Sequence, residues 1–204
     1  MPDLSSRHMP DPLLTPPFLS QTFVEAADGL FQSSDRLAQH LHAAALAIVH
    51  GLTSGSKVLC AGEAEGAWLA RQAAHQLLNG SGRLRPPLAA ISVAGDWAPG
   101  QVAQPGAMEA QVRALGHPGD VWLAFSLEQG EAELAAATAT ARDMDLTLVV
   151  MTGEAASVLG PMVRDTDVWV PLPGKDSAPL FSTAWLAVHV LSEAVDAHLL
   201  GEEI

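Results

Sequence analysis

Three features of the 204-residue chain predict an α/β fold with a parallel sheet covered on both faces. Five short apolar runs recur along it, segments of helical spacing lie between them, and the runs are continuous rather than alternating. Strands buried on both faces read in that way, and parallel strands need helical crossovers. The first helical segment runs from about residue 21 to 53, where Leu37, Leu41, Ala44, Ile48 and Leu52 recur at three- and four-residue spacing. Ser34 or Asp35 is the expected N-cap of its main part, with Gln21 to Phe31 as a separate preceding helix. "KVLCA" (57–61) reads as a buried strand and Ala67 to Leu78 as a helix, followed by a second strand in "LAAISV" (88–93). A Gly-, Pro- and Ala-rich stretch (95–107) leads to a helix over Met108 to Leu115 and a third strand in "DVWLAFS" (120–126). Glu131 to Arg142 is helical, "LTLVVMT" (146–152) is the fourth strand, and Ala155 to Val163 a short helix. "DVWVPLP" (167–173) is the fifth strand. The chain closes on a helix over Ser182 to Leu200, with Trp185, Val188, Leu191 and Val195 on one face.

Composition narrows the function. Asp and Glu number 23 against 10 Lys and Arg, a surface that repels a nucleic-acid backbone. A single cysteine, Cys60, excludes an intramolecular disulfide and suits a reducing cytoplasm; burial at a strand end makes it a small hydrophobe. No uninterrupted apolar run reaches about 18 residues. Residues 1–20 hold five prolines and no apolar core, so they are expected to be a flexible tail preceding one domain over 21–204.

In a parallel sheet, ligands bind beyond the carboxyl ends of the strands, where strand order reverses. The loop after the first strand, "GEAEG" (62–66), has the small residues of an anion cradle but carries Glu63 and Glu65. After the third strand, "SLEQGE" (126–131) offers Ser126 with Glu128 and Glu131. These five residues form the candidate ligand pocket. Two carboxylates about 5 Å apart repel by roughly 3 kcal/mol at an effective dielectric near 20, and an incoming phosphate would meet the same field. Solvated loops, a hard cation, or a cationic ligand or partner would tolerate it.

The stretches "QVRALGHPGDVWLAFS" (111–126) and "LTLVVMTG" (146–153) resemble the sugar isomerase (SIS) domain, in its phosphoheptose isomerase family. Together with "RPPLAAISV", "VLGPMVRDTDVWVP" and "HVLSEAVDAHLL" they are most similar to its DnaA initiator-associating branch, over roughly residues 21–200. The resemblance implies a flavodoxin-like five-stranded parallel sheet, a long N-terminal helix and a cytoplasmic homotetramer with pockets near subunit interfaces. It also implies a glutamate base at the position of Gln76, a histidine acid at His189, and, in some members, zinc ligands that would include the positions of Gln72 and Phe181. Gln76 and His189 are therefore vestigial catalytic positions, and no cofactor or metal is expected. His75 lies one residue from Gln76, which turns its side chain about 100° away. His42 and His50 are too far apart on the first helix to form a metal pair, and His40 lies off their stripe. Leu199 and Leu200 align with the initiator-contacting pair of that branch, making the replication initiator the expected partner. A sedoheptulose 7-phosphate isomerase, or a binder of carbohydrate derivatives with a rearranged site, is the alternative.

Overall fold

The computed structural model describes residues 17–80, 82, 84–93, 105–128, 131–153, 158–174 and 177–201, with side chains from Ser20 onward. Five parallel strands form one sheet: β1 (Val58–Gly62), β2 (Ala90–Ser92), β3 (Val121–Ser126), β4 (Thr147–Gly153) and β5 (Val168–Leu172). Their order is β2-β1-β3-β4-β5. Consecutive positions of β3 are buried on opposite faces, which is why the run is uniformly apolar. Val121, Leu123 and Phe125 join one core, Trp122 and Ala124 the other.

The first core is roofed by α1 (Pro17–Thr53), α2 (Ala64–Asn79) and α5 (Ser177–Leu200), the second by α3 (Ala107–Leu115) and α4 (Ala132–Asp143). Trp122 is fully buried in the second core and keeps its indole N–H satisfied by donating to Thr138 Oγ1 at 3.0 Å. Two aspartates fasten the amino ends of the strands. Asp120 accepts the N–H groups of Lys57 and His117 and the Lys57 ammonium, tying the start of β3 to that of β1. Asp167 accepts from the Leu148 and Arg164 N–H groups and the Arg164 guanidinium, doing the same for β4 and β5.

The expected architecture is present, with three corrections. The N-terminal segment is one helix, not two, and it starts at Pro17, inside the expected tail; residues 1–16 lie outside the described residues. Neither Ser34 nor Asp35 caps a second helix, and both lie inside α1. Ser33 and Ser34 satisfy themselves within it. Their hydroxyls donate back to the carbonyls of Gly29 and Phe31, which lets the helix run through. Of the short helix expected over 155–163, the described part forms a single 3₁₀ turn, Gly160–Met162, since Gly160 and Pro161 oppose a longer one. The last helix begins at Ser177, five residues before Ser182. Most of the stretch 95–107 lies outside the described residues.

α5 is long and apolar enough, at 24 residues, to match a membrane span in composition. It is a core helix: its buried face packs on α1 and α2, and Asp196 is fully buried against Arg85.

Candidate functional site

The strand order reverses between β1 and β3, so the crevice of the fold lies between the loops that leave their carboxyl ends. Those loops are held tightly. A Cβ on Gly62 would sit 2.4 Å from the Gly66 carbonyl, and one on Gly66 would sit 2.5 Å from the Phe125 carbonyl oxygen. Only glycine permits this close approach of α2 to the end of β3. Ala64 sits at φ 45°, in the left-handed region that costs a non-glycine residue about 1–2 kcal/mol.

This geometry aims Glu63. Its backbone is extended at the N-cap of α2, but its side chain makes no cap to that helix. Instead Oε1 accepts the N–H of Leu134, in the first turn of α4, at 2.6 Å. The first turns of a helix leave N–H groups without an internal partner, and Glu131, the N-cap of α4, supplies no side-chain bond to them. A carboxylate from the neighbouring loop takes that role.

Glu131 is 4% exposed, and neither of its carboxylate oxygens has a hydrogen bond. Ser126 Oγ, at the end of β3, is likewise buried without a partner. Burial pushes the Glu131 carboxyl up to about 6, and the charge on nearby Glu63 adds to this. The Ser126 hydroxyl and the N–H groups of Glu128 and Leu127 face it and oppose the rise, short of full hydrogen-bond geometry. Of the five pocket residues read from the sequence, then, the structure brings together Glu63, Ser126 and Glu131. Glu65 is half-buried on the first turn of α2, with Oε2 buried and unbonded, and Glu128 is exposed. A separate cleft of about 310 Å³, between α1 and the β5–α5 link and lined by Glu25, Leu30, Pro173 and Thr183, contains none of them.

A second cluster joins α2 and α5. Gln76, 8% exposed, places its amide nitrogen 3.1 Å from Nδ1 of His189. An amide donating there requires Nδ1 to be the unprotonated acceptor, which leaves the ring proton on Nε2, 3.5 Å from Glu193. The other end of the amide, Oε1, is buried without a partner. Sequence reasoning missed what anchors this pair. The Arg85 guanidinium pairs with Asp196, both side chains buried, and donates to the Gln76 carbonyl at 3.1 Å. No local pattern marks Arg85, because its partner is 111 residues away.

His75 points to Asn79 and solvent, as its position on the helix implies. Gln72 and Phe181 are half-buried, and the Phe181 ring packs near Trp185. His42 lies against His198, ring centroids 5.1 Å apart and planes tilted by 47°, a contact that helical spacing alone does not show. Among the described residues no group of three or more His, Cys, Asp or Glu side chains is arranged to hold a metal ion. Cys60 is fully buried, and burial pushes its thiol far above the ordinary range, so no thiolate forms. The leucine pair is split: Leu199 packs against the core and Leu200 is 46% exposed.

No family model matches the chain. A curated phosphoheptose isomerase of Methylibium petroleiphilum is 35% identical over 190 residues, covering 91% of this chain and 95% of the relative. This chain belongs to the phosphoheptose isomerase family. A second such relative, from Thiobacillus denitrificans, is 33% identical over 191 residues, covering 89% of this chain and 94% of its own length. Among solved structures, a phosphoheptose isomerase from Francisella tularensis superimposes with a TM-score of 0.80 at 26% identity, over 88% of this chain and 96% of that one. The SIS-domain fold expected from the sequence is therefore the observed one.

Proposed function

We propose that this chain is a catalytically degenerate member of the phosphoheptose isomerase family that acts through its surfaces, as an oligomeric adaptor for the replication initiator. The observation that carries the first half is Gln76. An aldose–ketose isomerase moves a proton from a carbon beside a carbonyl, which takes a base with a pKa near neutrality and an acid facing it. Gln76 stands beside His189 at the resemblance's base position, and an amide has no proton-accepting capacity at pH 7. His189 keeps a partner for orientation and lacks one for chemistry. The carboxylates of Glu63 and Glu131 in the crevice weigh in the same direction, against a sugar phosphate.

The adaptor half rests on the resemblance and on exposed apolar surface. Leu200, at the end of α5, is free to touch a partner. Phe23 and Phe31 on α1, and Trp185, Leu186 and Val190 on α5, are exposed side chains suited to self-association into a tetramer. Four weak sites on one oligomer could gather several initiator molecules without any tight single contact. The test is binding of the purified protein to the N-terminal domain of its own organism's initiator, with oligomeric mass checked by light scattering. Saturable binding weakened several-fold by Leu200→Ala, at unchanged mass, supports the reading; no binding at tens of micromolar contradicts it.

The relatives' name favours a second reading, a phosphoheptose isomerase with a rearranged site. Its base would be Glu131, whose carboxyl lies nearer neutrality than an ordinary glutamate. Turnover of sedoheptulose 7-phosphate, lost on Glu131→Gln and on His189→Ala, would establish it.

A further inference from the structure

We propose that Glu63 is a resident anion: its carboxylate occupies the N-terminus of α4 in place of a ligand's anionic group, and so makes this crevice reject phosphate esters. The inference rests on the reading that the crevice handles no sugar phosphate, and it names the residue responsible. A helix N-terminus presents unpaired N–H groups and the positive end of the helix dipole, which together attract an anion. In this chain the anion is covalently part of the protein. Glu63 Oε1 takes the Leu134 N–H at 2.6 Å, across the crevice and from a loop 71 residues earlier.

Two further observations set this apart from a routine helix cap. The loop that delivers Glu63 is locked by the close approaches of Gly62 and Gly66 and holds Ala64 at positive φ, so the backbone from which the carboxylate reaches α4 is fixed. Beside it, Ser126 Oγ and both oxygens of Glu131 are buried with no hydrogen bond. A core packed only for stability rarely leaves three such atoms together. They describe a polar crevice whose anion position is already filled.

The experiment uses the full chain and inorganic phosphate as the probe, with sodium chloride at matched ionic strength as the reference. Melting temperatures are compared for the wild type, Glu63→Ala, Glu131→Gln, the Glu63→Ala/Glu131→Gln double variant, and Glu128→Gln, which removes an exposed charge from the adjoining loop. The wild type and Glu128→Gln should not respond to phosphate. The double variant should rise by roughly 3–6 °C for each tenfold increase in phosphate above its dissociation constant. Glu63→Ala alone should respond more weakly, because Glu131 still faces the cradle. A folded double variant that ignores phosphate overturns the proposal and leaves the degenerate reading standing. A wild type stabilised by phosphate overturns both. A response of Glu128→Gln equal to that of the double variant reduces the effect to net charge and overturns the proposal. Should the double variant not fold, Glu63→Gln keeps an acceptor oxygen on Leu134 while removing the charge. The Leu134 amide proton must then shift upfield in the NMR spectrum, and an unmoved resonance overturns the assignment.

Discussion

Glu131 is the residue whose behaviour is most open to measurement. Its folded-state value of about 6 lies above the ordinary 4.5, so the folded protein binds more protons than the unfolded chain between those values. Stability from this group is present below pH 4.5 and is lost as pH rises through 6. Glu131→Gln removes the cost of a buried, unbonded charge. The variant is expected to match the wild type near pH 4 and to exceed it by about 1–2 kcal/mol at pH 7 in urea unfolding. An equal offset at both pH values would show that the carboxylate is not the source. The residue scale is also where sequence reading went furthest. The resemblance pairs Gln76 with His189, and the two are in contact. Sequence reading went less far with the four glutamates, which read as equivalent in the sequence. The structure separates them into one bonded across the crevice, one buried and unbonded, one half-buried and one exposed. Burial depends on how two loops from different strands pack, and neither loop encodes that alone.

Among the elements, the strands were legible because a strand covered on both faces must be apolar at every position, and β3 is buried at all six. Helix ends were less so, for identifiable reasons. Ser34 and Asp35 look like a start signal, yet serine can satisfy its hydroxyl on a preceding carbonyl, and here it does. The loop between β1 and α2 was readable as glycine-rich, but the need for each glycine appears only in the assembled layers. Gly66→Ala would bring a Cβ to 2.5 Å from the Phe125 carbonyl oxygen. It is expected to destabilise by about 1–3 kcal/mol in a denaturant titration, with the shift shared by the crevice loops in hydrogen exchange. At the opposite end of the sheet, Asp120 is almost fully buried. Burial pushes its carboxyl up, but the hydrogen bonds from the Lys57 side chain and from the Lys57 and His117 N–H groups win, and it stays below the usual range. Its contribution is therefore present above about pH 4 and disappears as pH falls through the folded value. Asp120→Ala should cost about 3 kcal/mol at neutral pH and less in acid, whereas a variant with undiminished loss in acid would point to packing alone.

At the scale of the molecule, the structure has the sheet, the crevice and the pairing of α2 with α5, and on the proposed reading the groups that would do isomerase chemistry in that frame have changed character. The position that the resemblance gives to the base holds an amide, and the crevice holds acids. The architecture was accessible from continuous apolar runs alternating with helical segments, and the family from motif resemblance. The internal contact from Glu63 to α4 was not, since it joins residues 71 apart through a backbone N–H that no side-chain pattern reveals. Apolar side chains on α1 and α5 are exposed, and an acidic chain of net charge −13 would steer towards basic partner surfaces. The measurement that tests this account most directly is incubation of the purified full-length protein with sedoheptulose 7-phosphate, with the sugar followed by NMR. The account predicts no conversion above the uncatalysed rate at any pH from 6 to 9. Turnover that follows enzyme concentration and is abolished by His189→Ala would contradict it.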